Sequence, residues 1–127
     1  MNDIAARNRR NKRRGADWEA ELRDELRGAG LDVERLRLTG VEDEGDLVVR
    51  LDTGRALVIE AKNARFEPGV FIREALKERA NYAKHRGLDA NSVDAVVIVR
   101  RRGANWRDAY VLTTVEEFFH LPRESAP

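Results

Sequence analysis

Two apolar runs joined by a short polar turn constrain this chain more than any other feature. Leu47, Val49 and Leu51 recur at every second residue, and so do Leu57, Ile59 and Ala61. That spacing sends alternate side chains to one face of a strand. The two sets share a face only if the numbers of opposed residues sum to an even value, which a two-residue turn cannot satisfy. A three-residue loop, Asp52-Thr53-Gly54, does so, with Gly54 in the left-handed conformation that glycine tolerates. In that register Asp46 stands opposite Glu60, and Lys62 follows Glu60 on the same face. The apolar pattern alone therefore predicts two carboxylates and an ammonium at one end of a hairpin.

Helices and strands alternate around this hairpin. Residues 17–27 read as a helix whose buried stripe is Trp18, Leu22 and Leu26, stopped by Gly28 and Gly30. Residues 33–38 read as a first strand and 39–45 as an acidic loop. Pro68-Gly69 breaks the chain before a second helix over 70–86, where Ile72, Leu76, Ala80 and Ala83 are predicted to pack on the sheet and Gly87 to end the helix. The β-branched run 95–99 reads as a strand buried on both faces. A turn over 100–108 leads to a last strand over 109–113. Thr114 and Glu117 are spaced as a capping box for a short helix carrying Phe118, Phe119 and Leu121. The predicted fold is α/β, a central mixed sheet of about five strands flanked by helices in the order α-β-β-β-α-β-β-α.

With 127 residues the chain suffices for one core but not for a separate recognition module. The absence of cysteine excludes disulfides, thiolate metal sites and cysteine nucleophiles. It also fits a reducing compartment, so the expected location is cytoplasmic, or the host cytoplasm for a phage-encoded chain. No apolar run is long enough to span a membrane. The small net charge hides an asymmetry. Residues 1–14 hold six of the 24 basic side chains (Arg7, Arg9, Arg10, Lys12, Arg13 and Arg14) against Asp3 alone of the 23 acidic ones, which leaves 18 against 22 elsewhere. The expected organisation is a flexible basic arm over 1–14 on a single domain over 15–127. Such an arm suits a polyanion, whose phosphates release counterions when neutralised, although a solubilising tail has the same composition.

The clustered Asp46, Glu60 and Lys62 have the makings of a phosphodiester-cleaving site. That reaction needs an activated water, a cation to offset charge on the phosphoryl oxygens and help for the leaving oxygen. Magnesium prefers a few carboxylate oxygens and waters, which Asp46 and Glu60 supply, with the Ala61 carbonyl as a backbone ligand. Lys62 beside them can orient or help deprotonate the water. Taken singly, each of these residues is equally at home on a solvated strand face. Their conjunction after the apolar run Ala56-Leu57-Val58-Ile59 points to a cleft.

Asp46 followed fourteen residues later by Glu60-Ala61-Lys62 resembles the PD-(D/E)xK nuclease superfamily. The opening Arg13-Arg14-Gly15-Ala16-Asp17-Trp18-Glu19-Ala20-Glu21-Leu22 looks like that of its small archaeal and phage Holliday-junction resolvases. The resemblance runs from about Arg13 to Leu121. It implies a restriction-endonuclease-like core, a nuclease domain over 15–127 and Mg²⁺-dependent cleavage, with Mn²⁺ able to substitute. It further implies a branched DNA substrate, namely a four-way junction, and a homodimer whose two sites cut two strands. The implied catalytic residues are Glu19, Asp46, Glu60 and Lys62. Asp46, Glu60, the Ala61 carbonyl and Glu19 are the implied metal ligands. Glu19 lies at the flank of its helix stripe, where Glu21, Asp24 and Glu25 compete for the role. Arg9, Arg10, Lys12, Arg13 and Arg14 are the expected DNA contacts. Gly45 replaces the proline usual before the aspartate, and Glu74 to Ala80 offers no counterpart to the glutamine many members carry. Other enzymes of the superfamily (a nickase, flap or double-strand endonuclease) share this chemistry, and an inactive DNA-binding protein would share the fold.

Further candidates lie outside the hairpin. Arg100, Arg101, Arg102, Trp106 and Arg107 cluster in one turn, which would either grip DNA or be solvated with Trp106 packed on the body. Lys77, Arg79, Lys84 and Arg86 include a solvated helix face, and His85 sits near that helix's end. Glu42, Asp43 and Glu44 read as loop acids. Phe71, Phe118 and Phe119 are more apolar surface than one small domain readily hides, so part of it suits a twofold interface.

Overall fold

The computed structural model describes residues 3–36 and 42–122. Arg37, Leu38 and the first part of the acidic loop lie outside the described residues. Helix α1 (Asp3–Gly28) is followed by strands β1 (Asp32–Arg35), β2 (Leu47–Arg50) and β3 (Ala56–Lys62). Helix α2 (Pro68–His85), strands β4 (Val93–Val99) and β5 (Tyr110–Leu112) and the short helix α3 (Val115–Phe118) complete the order. Among the described residues five strands form one sheet in sequence order. Pairing is antiparallel except between β3 and β4, where α2 provides the crossover that parallel strands require. The result is the mixed sheet flanked by helices that the sequence predicts. No helix among the described residues is long and apolar enough to cross a membrane.

The hairpin register is the one the apolar alternation requires. Leu47 pairs with Ile59 and Val49 with Leu57. The Leu51 N–H donates to the Arg55 carbonyl (2.9 Å), which closes a loop of Asp52, Thr53 and Gly54. Gly54 has φ +86°, the conformation for which glycine is needed. Period-two alternation then divides the sheet between two helices. On one face Trp18 and Leu22 of α1 pack with Val33, Leu47, Val49, Ile59 and Ala61. The buried Trp18 indole N–H is satisfied by the Ile98 carbonyl at 3.2 Å. On the other face α2 covers Val48, Val58, Val93, Ala95, Val97 and Val99. Strand β4 is buried fully on the α2 face and partly on the α1 face.

Three elements depart from expectation. Helix α1 begins at Asp3 rather than at residue 17. Residues 3–14 lack an apolar stripe, but Ala5, Ala6 and the arginines favour helix, and extending an existing helix avoids the cost of nucleation. The basic side chains Arg7, Arg9, Arg10, Lys12, Arg13 and Arg14 are all exposed on it. Strand β1 ends at Arg35. Helix α2 is rotated by about one residue (~100°) from the predicted stripe. Its buried residues are Phe71, Ala75, Glu78, Arg79, Tyr82 and Ala83, and Ala80 is exposed. A count of apolar positions misses this because Glu78 and Arg79 are buried against polar partners. Arg79 meets Glu117 of α3 in a buried ion pair. The C-terminal stop is as expected: Gly87 has φ +65°, and Leu88 N–H donates to the Ala83 carbonyl. The Thr114 hydroxyl accepts from the Glu117 N–H, starting α3 as the capping spacing predicts.

Candidate active site

Extending the β2–β3 ladder one step beyond Leu47 and Ile59 builds the site. The Asp46 N–H donates to the Ile59 carbonyl (3.1 Å), and Asp46 Oδ2 accepts from the Ala61 N–H (2.8 Å). The N–H and carbonyl of one strand residue lie on the same edge, so the Ala61 carbonyl is turned toward Asp46 as well. Alternation carries Glu60 and Lys62 onto the face covered by α2. Glu60 is buried, within hydrogen-bonding reach of both Asp46 and Glu78. Carboxyls bond one another only by sharing a proton. The rotation of α2 supplies Glu74 and Glu78, and carboxylate oxygens of Glu60, Glu74 and Glu78 lie within 4.8 Å of one another. The Lys62 Nζ donates to Glu74 Oε2 at 2.7 Å and lies 5.3 Å from the centre of the Phe71 ring.

Negative charge exceeds what the surroundings stabilise. Burial, then the neighbouring Glu60, pushes Asp46 up to about 8. Burial, then Glu78, raises Glu60 to about 8 against the pull of Lys62. Glu78 rises to about 7 through burial and the charges of Asp43 and Asp46. Burial works to lower the Lys62 pKa, but contact with Glu74 and the charge of Glu60 outweigh it, so the ammonium is held charged. Glu78 Oε2 is buried, and among the described residues no donor reaches it. An orphaned carboxylate oxygen among crowded acids is an environment that a hard divalent cation satisfies, and the donor set is all oxygen. The residues present fit such an ion.

The loop before Asp46 is built around Gly45 and fastened to α2. Gly45 has φ +105°, and a Cβ there would lie 2.8 Å from Val58 Cγ1 and 3.3 Å from Glu78 Oε2. The requirement for this backbone explains the glycine at position 45. Asn81 Nδ2 donates to the Asp43 carbonyl (2.8 Å). The buried Glu44 accepts from Arg86 Nη1 (2.7 Å) and lies 2.5 Å from His85 Nδ1. Lys84 and His85 also approach Glu42. The loop acids and the basic end of α2 thus act as a clamp behind Asp46. Gly45→Ala is expected to cost about 2 kcal/mol of stability through backbone strain and the Val58 clash. It should also weaken divalent-ion binding by moving Asp46. Urea unfolding and calorimetric magnesium titration check the two effects, and an unchanged midpoint would overturn this account of Gly45.

Of the residues singled out in the sequence, Asp46, Glu60, Ala61 and Lys62 come together. Glu19 reaches the site from α1 on a different side. It pairs with Arg35 (2.8 Å) and shares with Asp43 and Asp46 the lining of a cavity of about 690 Å³. Partial burial and then the Asp46 charge raise its pKa, against the pull of Arg35. Sequence reasoning misses Glu74 and Glu78. Their signal is a like-charged i, i+4 pair, which an isolated helix disfavours.

No family model matches the chain, and no curated protein sequence matches it. Among solved structures it is similar to Hjc, a Holliday junction resolvase from the archaeal hyperthermophile Archaeoglobus fulgidus. That similarity has 22% identity and a TM-score of 0.48 over 71% of this chain and 71% of that one.

Proposed function

We propose that this protein is a magnesium-dependent, structure-selective endodeoxyribonuclease, and specifically a Holliday-junction resolvase. The observation that carries the reading is the apposition of half-buried Asp46 and buried Glu60 beside the Lys62 ammonium, with more carboxylate than the protein itself neutralises. Residues 15–127 form the nuclease domain, and residues 1–14 are its basic arm.

Asp46 and Glu60 would hold the metal, with the Ala61 carbonyl and Glu19 as its further ligands. When bound, Mg²⁺ (or Mn²⁺) offsets phosphoryl charge and acidifies a water. Lys62 is held charged, so it acts as a donor rather than a base. Its ammonium orients the attacking water and stabilises charge on the phosphoryl oxygens. Glu74 fixes the position of that ammonium through the 2.7 Å hydrogen bond. Arg9, Arg10, Lys12, Arg13 and Arg14 grip DNA phosphates. Exposed apolar side chains on β5 and α3, among them Val111, Val115, Phe118 and Phe119, support a homodimer with two cutting sites.

The deciding test is magnesium-dependent cleavage of a synthetic immobile four-way junction, compared with a flap and a plain duplex of equal length. Paired nicks in two opposing junction strands are expected. Preference for the flap or duplex would replace the resolvase reading with another nuclease, and no cleavage with either Mg²⁺ or Mn²⁺ would end the nuclease reading. A second prediction concerns the arm. Replacing its five proposed DNA-binding side chains by alanine should weaken junction binding, and the slope of log K against log salt should fall by up to ~0.9 for each phosphate no longer neutralised. An unchanged slope in anisotropy titrations would remove the arm from the interface.

A further inference from the structure

A second surface lies beside Lys62 at the end of the sheet. Lys62 pairs with Val99 and Val99 with Tyr110, so the three stand in one row across β3, β4 and β5 on the α2 face. Two strand spacings separate Lys62 from Tyr110, about 10 Å, or roughly three base steps of a DNA strand. The Arg100 N–H donates to the Lys62 carbonyl (2.9 Å), fastening the arginine turn to the same end.

Two features meet at this end of the sheet, one toward α1 and one on the α2 face, and Arg100 and Arg102 border both. The first is a depression of about 310 Å³ lined by Arg14, Asn63, Arg100, Arg102 and Gly103, with no carboxylate among the described residues of its lining. Among the described residues Arg14 and Arg102 have no acidic partner, in contrast to the paired Arg35, Arg50, Arg55, Arg79 and Arg86. Arg100 is braced 5.8 Å from the Trp18 ring and reaches Glu21 only at 4.0 Å. Guanidinium groups converging on one concavity suit a phosphate. The second is a pair of exposed rings. Phe66 (53% exposed) and Tyr110 (49%) have centroids 6.1 Å apart, and Arg101 lies 5.0 Å from the Tyr110 centroid.

We infer that this end of the sheet is a subsite for an unpaired nucleotide: Arg14, Arg100 and Arg102 seat a phosphate while an unstacked base lies on Phe66 and Tyr110. The proposal rests on the nuclease reading for the position of the cleaved bond and adds to it a contact with an unpaired nucleotide beside that bond. Bases inside a duplex already cover one another, so the rings reward only DNA opened near the cut, such as a branch point or a fork. The arginines reward any strand.

Binding without metal separates this inference from the nuclease reading. The full chain is titrated in EDTA, by fluorescence anisotropy, with a plain duplex and with a fork of equal length carrying three unpaired nucleotides. Phe66→Ala should lose about tenfold affinity for the fork and less than twofold for the duplex, and Phe66→Trp should restore it. Arg102→Ala should weaken both to a similar degree and lower the salt slope by ~0.9. Phe66 is exposed in a loop, and a thermal melt by circular dichroism checks that the variant folds. Equal loss on both DNAs, no loss on the fork, absence of DNA binding by the wild type, or a change in sedimentation accompanying the loss would overturn the subsite. Failure of the wild type to cleave with magnesium would remove the nuclease reading and leave the fork-specific difference intact.

Discussion

Asp46→Asn is expected to lower magnesium-supported cleavage of a junction by ~10³-fold or more while junction binding persists. The substitution is chosen because it removes charge and little else. The amide oxygen of the new side chain can still accept the Ala61 N–H, the bond that fixes residue 46 against β3. The carboxylate beside Glu60 is gone, however, and with it half of the pair proposed to hold the ion. Lys62→Ala should be as damaging to cleavage but is a less clean test. It leaves Glu60, Glu74 and Glu78 without the Lys62 ammonium, so a loss of stability accompanies the loss of rate. Initial rates on a labelled junction, with affinity measured in parallel by gel shift, distinguish the two. If Asp46→Asn cuts at the wild-type rate with magnesium, the site has been placed wrongly.

The parts legible in the sequence are those set by local parity. Alternation in residues 47–51 and 57–61 excludes a two-residue turn, and Gly54 at the left-handed position selects the three-residue loop, whose register opposes Asp46 to Glu60. Asp46, Glu60 and Lys62 are therefore readable without any tertiary contact. Glu74 and Glu78 are not, because their role depends on how α2 is rotated on the sheet. Two stripes compete on that helix, and the apolar one through Ile72, Leu76 and Ala80 is the more hydrophobic. The observed stripe wins because Phe71 and Tyr82 flank the carboxyl cluster and Glu78 faces polar groups rather than a dry core. The early start of α1 is hidden for a different reason. A solvated helix buries no stripe, so periodicity is silent there and only propensity speaks. Glu19 belongs between these cases: its helix is legible, but its proximity to Asp46 follows from the packing of α1 beside β1.

In EDTA the protein is expected to lose stability steadily as pH rises from about 4 to about 8, and magnesium is expected to abolish most of that slope. Asp46 and Glu60 are raised to about 8 and Glu78 to about 7, from ordinary values of 3.8 for the aspartate and 4.5 for the glutamates. Between those limits the folded state holds protons that the unfolded state has released. Stability from these groups is complete below the unfolded values and is lost as pH climbs through the folded ones. The three carboxyls titrate as a unit, so their shifts do not add. A loss on the order of 5 kcal/mol, the equivalent of one carboxyl's full shift, is the expected scale. Glu44 and Asp94 are shifted the other way, by contact with Arg86 and with Arg55 respectively, against the effect of burial. Their contribution is lost only as pH falls through the acid range, so it leaves the slope above pH 5 unaltered. A divalent ion favours the ionised carboxyls and binds the folded state alone, which raises stability most where the uncompensated charge is greatest. Urea midpoints at pH 5, 6.5 and 8, with EDTA and with excess magnesium, measure both slopes. Glu78→Gln should flatten the EDTA curve, since it removes one of the three charges. A midpoint in EDTA that is constant or rises with pH, and that magnesium does not move, would mean that this cluster is neither a buried store of unbalanced charge nor a place for a metal.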